Sequence, residues 1–370
     1  MKVKPIGLYV HIPFCVRKCN YCDFCSYDSL EPCVREGYIS ALKKEIESYR
    51  ERGEILVDTI FFGGGTPSLL TPDEFSSIMD SIESTFRITD DPEFTLEVNP
   101  GTLNEENLSA FVRHGVNRIS VGLQSIHENE RKLLGRIHNY DDFLKACSMI
   151  FRAGITNFNV DLMYGIPGQT IESFEKTLSA VTALRPTHIS CYGLILEEGT
   201  KFWGVKDELD LPSEDDEVAM YEAASRILSE SGYSHYEISN YARDGYESRH
   251  NLKYWRCDEY IGVGVSAYSY FDGKRYGNPS DINEYLSSSV KEYITEESDP
   301  EYEFVMLGLR LREGISLSEY KDRFGKDFVA ERRDAINSYI KGGYIILSGD
   351  RLSLSEKSFY ISNTILTDLL

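Results

Sequence analysis

Four cysteines stand close together near the start of the chain, in the stretch GLYVHIPFCVRKCNYCDFCS at residues 7–26. They are Cys15, Cys19, Cys22 and Cys25, in the spacing CxxxCxxCxxC. Thiols at such a spacing could form two disulfides, hold a zinc ion, act as a redox pair or anchor an iron–sulfur cluster. The spacing alone does not choose among these chemistries, so the rest of the chain must.

The composition limits where the protein works and what it binds. No window approaches the run of about 18 to 20 apolar residues that a membrane-spanning helix needs, and Pro5, His11 and Pro13 interrupt the apolar start. We therefore expect a cytoplasmic protein, in which clustered thiols more often bind metal or do redox chemistry than form disulfides. A formal net charge of −21 argues against nucleic acid as a partner. Transient contact with a membrane surface stays open.

Short β-rich runs alternate with amphipathic stretches over the first half of the chain. The predicted strands are GLYVHI, VDTIFFG, EFTLEV, NRISVGL, FNVDLMYG and HISCYGLI. Helical spacing around residues 38–49 and 171–181 places apolar side chains on one face, and TPDE at residues 71–74 is typical of a helix start. Six β–α units in a row predict an α/β fold with a parallel sheet, either doubly wound or curled into a barrel.

Polar and glycine-rich residues stand where four of these strands end. GGGTP follows the second strand, Glu97 ends the third, Gln124 follows the fourth, and Asp161 lies in the fifth. Because the carboxyl ends of parallel strands share one edge, we expect these residues to gather near the cysteines, which follow the first strand. Each residue also has a plain structural alternative. The glycines could form a tight turn, the polar groups local hydrogen bonds, and Arg136 a solvated helix charge.

CxxxCxxC after a first barrel strand, followed by a GGGTP loop, resembles the pattern of the radical S-adenosylmethionine (SAM) family. The surrounding YVHIPFC and EVNP are similar to the branch that contains oxygen-independent coproporphyrinogen III dehydrogenases and the HemW heme chaperones. The resemblance covers nearly the whole chain and implies a partial (β/α)6 TIM-like barrel. It also implies that three thiolates hold a [4Fe–4S] cluster whose open iron binds SAM, and that one electron from the cluster splits SAM to give a radical.

The resemblance also assigns the site residues one by one. Cys15, Cys19 and Cys22 match the three cluster ligands of the family. The positions that match its SAM contacts are Tyr9, Tyr21, Gly64, Gly65, Thr66, Glu97, Gln124, Arg136 and Asp161. Glycine suits the loop that meets the methionine part of SAM, because only glycine lets the backbone approach a ligand so closely. Whether one or two SAM molecules bind stays open.

Three features favour the chaperones over the dehydrogenases. The dehydrogenases resemble CxxxCxxCxC, whereas here the fourth thiol, Cys25, is shifted by one residue, and we interpret it as a small packing residue. We also expect no N-terminal extension of the kind that the dehydrogenases carry. HNLKYW, at residues 250–255, matches the HNxxYW motif of the chaperone branch. A histidine among aromatic rings suits heme, so His250 is a candidate axial ligand, with a structural histidine in a turn as the equal alternative.

The chain divides into three predicted units. These are a radical SAM barrel over residues 1–211, a smaller α+β extension over 212–299, and a winged-helix-like unit over 300–370. The last is predicted from helical patterns that precede YIILSGDRLSLSEKSF, a segment that favours a hairpin. In so acidic a chain we expect this unit to be a lid or docking surface and not a DNA reader.

Three functions are compatible with these patterns. The first is a heme chaperone, which binds heme as cargo and delivers it to heme-accepting proteins. The second is an oxygen-independent coproporphyrinogen III dehydrogenase, which decarboxylates its substrate oxidatively to protoporphyrinogen IX. The third is a barrel whose cysteines hold zinc. We favour the chaperone, expect cleavage of SAM, and expect no dehydrogenase activity.

Overall fold

A parallel sheet built from the first half of the chain organises the molecule, whose computed structural model describes residues 4–287, 293–294 and 299–370. Its strands pair in chain order: β1 (Ile6–Ile12), β2 (Leu56–Gly64), β3 (Arg87–Val98), β4 (Arg118–Gln124), β5 (Asn157–Tyr164) and β6 (His188–Gly193). The helices between them are α1 (Pro32–Ser48), α2 (Pro72–Glu83), α3 (Glu105–Arg113), α4 (Glu128–Leu133), α5 (Tyr140–Arg152) and α6 (Ile171–Ala183). This arrangement confirms the predicted partial barrel.

The helices begin and bury their faces as the sequence predicts. Thr71 caps α2, since its side chain accepts a hydrogen bond from the Glu74 backbone while Glu74 accepts one from the Thr71 backbone. On α1, the side chains of Tyr38, Leu42 and Ile46 are buried at intervals of four residues. The capping box fixes where α2 starts, and the apolar stripe fixes which face of α1 meets the sheet.

Later residues extend the same sheet at both edges. They form α7 (Lys201–Gly204), α8 (Glu214–Glu230), β7 (Ser234–Glu237), β8 (Asn240–Ala242), α9 (Arg249–Trp255), β9 (Tyr260–Val263), β10 (Tyr268–Phe271), β11 (Lys274–Gly277), α10 (Ile282–Ser287) and β12 (Tyr293–Ile294). Over the described residues the strand order is β12-β11-β10-β9-β1-β2-β3-β4-β5-β6-β8-β7. The barrel is therefore open, and the strands after residue 211 continue it.

The predicted extension over residues 212–299 shares its hydrophobic core with the barrel, because Ile261 and Val263 of β9 pack in the same cluster as Leu8 and Val10 of β1. Residues 288–292 and 295–298 of that predicted unit lie outside the described residues. The division at residue 211 stays a prediction.

A second hydrophobic core forms the C-terminal unit. Its elements are α11 (Pro300–Gly308), β13 (Ile315–Ser316), α12 (Leu317–Phe324), α13 (Phe328–Glu331), α14 (Arg333–Lys341), β14 (Ile345–Ser348), β15 (Arg351–Leu354) and α15 (Ser362–Leu369). The three strands form their own sheet in the order β13-β15-β14, with helices packed on it. The predicted hairpin and the winged-helix-like architecture are both present.

Two short segments after β6 bear on the site. Residues 236–242, YEISNYA, belong to a tight hairpin in which β7 and β8 pair antiparallel. HNLKYW, whose histidine had a turn as one alternative, forms most of the short helix α9, because the Ser248 side chain caps it by accepting a hydrogen bond from the Asn251 backbone. None of the described helices has the length and apolar character needed to cross a membrane.

A buried carboxylate ties α1 to the part of the chain that follows β9. Glu45 of α1 is buried and accepts hydrogen bonds from the Tyr285 hydroxyl at 2.6 Å, the Asn278 amide at 2.6 Å and the Gly264 backbone at 2.9 Å. Burial raises its pKa, and these donors oppose that rise. Because an unpaired buried donor is costly, this one side chain stabilises the edge of the sheet beyond β1.

Replacing Glu45 by Ala should lower the free energy of unfolding by about 2 to 4 kcal/mol, since three buried donors lose their acceptor at once. The matched control is Glu36→Ala, an exposed residue of the same helix, which should stay within about 0.5 kcal/mol of the parent. Chemical denaturation followed by circular dichroism measures both. Equal stability of the two variants would show that the carboxylate does not carry this contact.

Candidate functional site

One cavity opens at the edge where the strands β1 to β6 end. Its volume is about 310 Å³. Its lining includes the three predicted cluster ligands and eight of the nine predicted SAM contacts, which are Cys15, Cys19, Cys22, Tyr21, Gly64, Gly65, Thr66, Glu97, Gln124, Arg136 and Asp161. Residues as far apart in sequence as Cys15 and Asp161 thus meet, because the carboxyl ends of parallel strands lie at one edge of the sheet.

The thiols stand on the loop between β1 and α1, and backbone hydrogen bonds hold this loop in place. The Cys15 backbone donates to the Tyr27 carbonyl at 2.9 Å, and the Tyr27 backbone donates to the Pro13 carbonyl at 2.7 Å. Further along, the Asn20 backbone donates to the carbonyl of Leu134 at 2.9 Å. The loop is therefore fastened to its own end and to the segment after α4, so the thiols face the cavity from a fixed wall.

The thiols have the neighbours that a cluster site requires. The Cys15 Sγ lies 3.6 Å from the Thr66 Oγ1, and the Cys19 Sγ accepts a hydrogen bond from the Arg136 Nη1 at 3.5 Å. Burial raises the pKa of the Cys22 thiol to about 11, so metal coordination is what would deprotonate it. Across the described chain, no three Cys, His, Asp or Glu side chains are grouped closely enough for a single ion. The three predicted ligand thiols all line the same cavity, and thiolates are the usual anchors of an iron–sulfur cluster.

Cys25 is placed differently from the other three thiols. It does not line the cavity, and its Sγ lies 3.3 Å from the Ser280 carbonyl and 3.7 Å from the Tyr27 hydroxyl. Its own carbonyl accepts a hydrogen bond from the His11 Nε2 at 2.7 Å. These contacts agree with the interpretation of Cys25 as a packing residue, which stays a prediction.

The glycine loop after β2 lies directly against the chain that leads into the thiols. Gly64 has a φ of 106°, and a Cβ there would come within 2.5 Å of the His11 ring. A Cβ on Gly65 would lie 2.7 Å from the Phe14 carbonyl oxygen. A side chain at either position would push the two loops apart. The same glycines are therefore compatible with both predicted roles, a tight turn and a ligand-binding loop.

Two half-buried carboxyl groups form the floor of the cavity. Glu97 accepts a hydrogen bond from the Gly64 backbone at 3.1 Å, and burial together with the charge of Asp161 raises its pKa to about 8. Burial also raises the pKa of Asp161, although Ser120 donates to it at 2.9 Å and Asn159 at 2.7 Å. Two carboxyl groups that lack full solvation create an environment that favours a cationic ligand.

Arg136 supplies the opposite charge on the cavity wall. Burial acts to lower its pKa, but Tyr21, Cys19 and Asp161 more than offset this, and the pKa is raised. Its Nη2 donates to the Asn99 side chain at 3.3 Å and to the Gly122 carbonyl. The guanidinium is thus half-buried in the wall and held by fixed acceptors, whereas the sequence left a solvated helix charge as the alternative.

Two predicted contacts need separate description. Gln124 lines the cavity at the end of β4, in a left-handed conformation with a φ of 68°. Such backbone strain in a residue other than glycine is often found at functional sites. Tyr9 does not line the cavity. Its hydroxyl donates to the His11 Nδ1 at 3.0 Å, one layer below the glycine loop.

The cavity also has lining residues that the sequence did not single out as contacts. They include Asn99, Ser120, Gly122, Met163 and Tyr192. For Asn99, Gly122 and Met163 the available signal was their position on or near strand ends already assigned to the site, whereas Tyr192 lies on β6, whose end had not been assigned. The roles of all the lining residues as ligands stay predictions.

The structure places His250 far from any open coordination position. Its side chain is 1% exposed, its Nδ1 lies 2.9 Å from the Thr59 hydroxyl, and its Nε2 lies 2.8 Å from the Tyr254 hydroxyl. Burial lowers its pKa to about 3, with contributions from Lys253 and Arg118. Both ring nitrogens already have partners, so the geometry favours the structural alternative, and heme ligation by His250 stays a prediction.

Comparison with known proteins agrees with this arrangement. The Radical SAM superfamily model matches residues 9–181, and the HemN C-terminal domain model matches residues 298–361. The heme chaperone HemW of Lactococcus lactis is 32% identical over 372 residues, which cover 99% of this chain and 97% of the relative. The heme chaperone HemW of Escherichia coli is 34% identical, over 99% of this chain and 98% of the relative.

The chain belongs to the HemW heme chaperone family of radical SAM proteins. Membership of the radical SAM family implies a [4Fe–4S] cluster and SAM. Among solved structures, the coproporphyrinogen III oxidase HemN of Escherichia coli matches with a TM-score of 0.83 over 99% of this chain and 90% of that chain. Its identity to this HemW-family chain is 23%, so that match speaks for the fold alone.

The position of the thiols predicts which of them a cluster needs. Replacing Cys15, Cys19 or Cys22 by Ala should abolish the visible thiolate-to-iron absorption of anaerobically reconstituted protein, whereas Cys25→Ala should retain it. Iron and sulfide analysis of the same samples measures the loss independently of colour. A colourless parent with stoichiometric zinc would contradict the cluster and support the zinc alternative.

The raised pKa of Glu97 predicts how stability depends on pH. In the folded chain its pKa is about 8 against 4.5 for the ordinary group, so the folded state holds the proton more tightly. The stability that the neutral form provides is complete below about pH 4.5 and is lost as the pH rises through 8. Denaturation between pH 6 and 9 should therefore show a decline that Glu97→Gln makes shallower, while the exposed control Glu106→Gln keeps the parental slope. Parallel curves for all three proteins would contradict a Glu97 that holds its proton up to about pH 8.

Proposed function

We propose that this chain is a heme chaperone that binds heme and delivers it to heme-accepting proteins, with a [4Fe–4S] cluster and SAM held in the barrel cavity. The observation that carries the proposal is the match to HemW chaperones over nearly the full length of both chains. That match includes the barrel and the C-terminal unit together. A shared barrel alone would be compatible with many radical SAM chemistries.

In this proposal Cys15, Cys19 and Cys22 hold the cluster. When bound and reduced, such a cluster supplies the electron for cleavage of SAM. The thiol loop sets the position of the cluster, because it is fastened to Tyr27 and to the segment after α4. The half-buried loop leaves one side of the cavity open to solvent, so exchange of SAM needs no rearrangement of the sheet.

The remaining cavity residues would bind SAM. Gly64 and Gly65 bring backbone close to the methionine part, and Thr66 adds a hydroxyl. Arg136 offers a half-buried cation for the carboxylate of SAM, and Glu97 and Asp161 offer acceptors for ribose hydroxyls and for the positive sulfonium. A cationic ligand would favour the ionised form of Glu97 and so lower its pKa on binding. Cytoplasmic location and the acceptor proteins belong to the same proposal.

Coproporphyrinogen III dehydrogenase activity is the second candidate, since the HemN structure shares the fold over nearly the whole chain. The Lactococcus lactis and Escherichia coli relatives, which match over nearly the whole of both chains, are named heme chaperones, and the fourth thiol points to Ser280 and not into the cavity. These two observations favour the chaperone.

Heme binding without porphyrinogen conversion is the expected behaviour of the purified protein. Heme titrated into anaerobically reconstituted protein should bind stably and near stoichiometrically, as followed by its absorption spectrum. Incubation of the same preparation with SAM, reductant and coproporphyrinogen III should give no protoporphyrinogen IX above a Cys15→Ala control. Turnover above that control would establish the dehydrogenase, and absence of heme binding would refute the chaperone.

His250→Ala separates the two interpretations of the HNLKYW histidine within the same experiment. Because the side chain has two buried hydrogen-bond partners, we expect a lower melting temperature and an unchanged heme affinity in the folded fraction. A weaker heme affinity at parental stability would instead identify His250 as a heme ligand.

A further inference from the structure

A row of polar side chains crosses the barrel interior beneath the cavity. Glu97, Ser120, Asn159 and His188 are register partners on the four neighbouring strands β3 to β6. Asn159 is 2% exposed and His188 is 1% exposed, so water does not compete for their hydrogen bonds. Neither residue lines the cavity. Polar groups buried so deeply need a structural or functional reason, because their desolvation is unfavourable.

Hydrogen bonds join this row into a chain that ends at Asp161. The Asn159 Nδ2 lies 2.7 Å from the Asp161 Oδ1, and the Asn159 Oδ1 lies 2.7 Å from the His188 Nδ1. The His188 Nε2 lies 2.8 Å from the Tyr236 hydroxyl, which in turn accepts from the Ser248 backbone at 3.3 Å. This hydrogen-bond chain therefore runs from Ser248, the residue before α9, to the Asp161 carboxylate on the cavity floor.

The side chains in this hydrogen-bond chain can donate their hydrogen bonds in only one direction, toward Asp161. The Asp161 carboxylate only accepts hydrogen bonds, so the Asn159 amide must turn its NH2 toward it and its oxygen toward His188. His188 must then donate from Nδ1, which leaves Nε2 to accept from the Tyr236 hydroxyl. Burial keeps this histidine neutral by lowering its pKa far below the ordinary value. Each donor along this hydrogen-bond chain, from Ser248 through Tyr236 and His188 to Asn159, then points toward Asp161.

We propose that His188 is a positioning residue for SAM binding, which acts by fixing the Asn159 amide and thereby the orientation of the Asp161 carboxylate at the cavity. The inference rests on the proposed contact between Asp161 and SAM. Asn159 also hydrogen-bonds the Ser120 and Ser190 hydroxyls, and both of these hydroxyls hydrogen-bond Asp161. A hydroxyl can turn either to donate or to accept, so these two groups allow both orientations of the Asn159 amide. Without the His188 donor, the amide can therefore turn its oxygen toward Asp161, and the carboxylate loses a donor and changes its orientation.

The test compares two substitutions of His188 in the full-length, reconstituted protein. His188→Phe fills a similar volume without a donor and should weaken SAM binding about tenfold, with unchanged cluster absorption. His188→Asn can still donate to the Asn159 oxygen and should recover affinity to within about threefold of the parent. His235→Phe is the matched control. This buried histidine of β7 stacks on Tyr241 with 4.2 Å between ring centroids, and it is not part of the hydrogen-bond chain that ends at Asp161. Equilibrium dialysis with labelled SAM measures all four proteins.

Parental SAM affinity in His188→Phe, or an equal loss in His188→Phe and His188→Asn, would overturn the positioning role. Failure of the parent itself to bind SAM would instead refute the proposed cavity function on which the inference rests. A second measurement does not depend on the variants folding. Nitrogen NMR of 15N-histidine-labelled parent should show His188 as a neutral imidazole protonated at Nδ1, and a proton at Nε2 would overturn the direction of the chain.

Discussion

Desolvation of charged groups inside the barrel is the constraint on which the rest of the site depends. A carboxylate taken from water is stable only when donors replace the lost solvent or when it holds a proton. Both solutions occur here: Asp161 receives the amide and hydroxyl of Asn159 and Ser120, while the pKa of Glu97 rises to about 8. A cationic ligand would therefore stabilise the cavity, because its positive charge replaces the solvation that the two carboxyl groups have lost.

The parallel ladder decides which groups can meet that demand. Register places Ser120 opposite Asn159, and these two side chains hydrogen-bond each other and both donate to Asp161. The same ladder sets the Gly64 end of β2 opposite Ile12, where the chain turns into the thiol loop. The glycines then permit contact between two loops that any side chain would separate. The thiol loop and the carboxyl groups of the cavity floor are thus positioned by the same sheet, and they form one site.

Much of the fold and of the site could be predicted from the sequence, because both follow from local patterns. Strand alternation and helix caps gave the six β–α units, and strand-end residues such as Glu97 and Asp161 do meet the thiols. The sequence could not show that β9 would join β1, since four-residue strands carry little pattern and their partners lie far away. It could not tell a buried structural His250 from an exposed one either, because its partners Thr59 and Tyr254 come from different elements. Asn159 and His188 were missed for the same reason: their meaning lies in contacts across strands.

The central place of β1 in the sheet has a consequence for how the protein is made. This strand leaves the ribosome long before β9, yet Gly7 pairs in parallel with Tyr260 of β9. One side of the strand that leads into the thiol loop therefore keeps unpaired backbone groups through most of synthesis, and such an edge readily pairs with foreign strands. Long-range parallel pairing is also slow to form. The β1 edge that later pairs with β9 must therefore be shielded until β9 has been synthesised. During the same interval the thiol loop remains accessible from that edge.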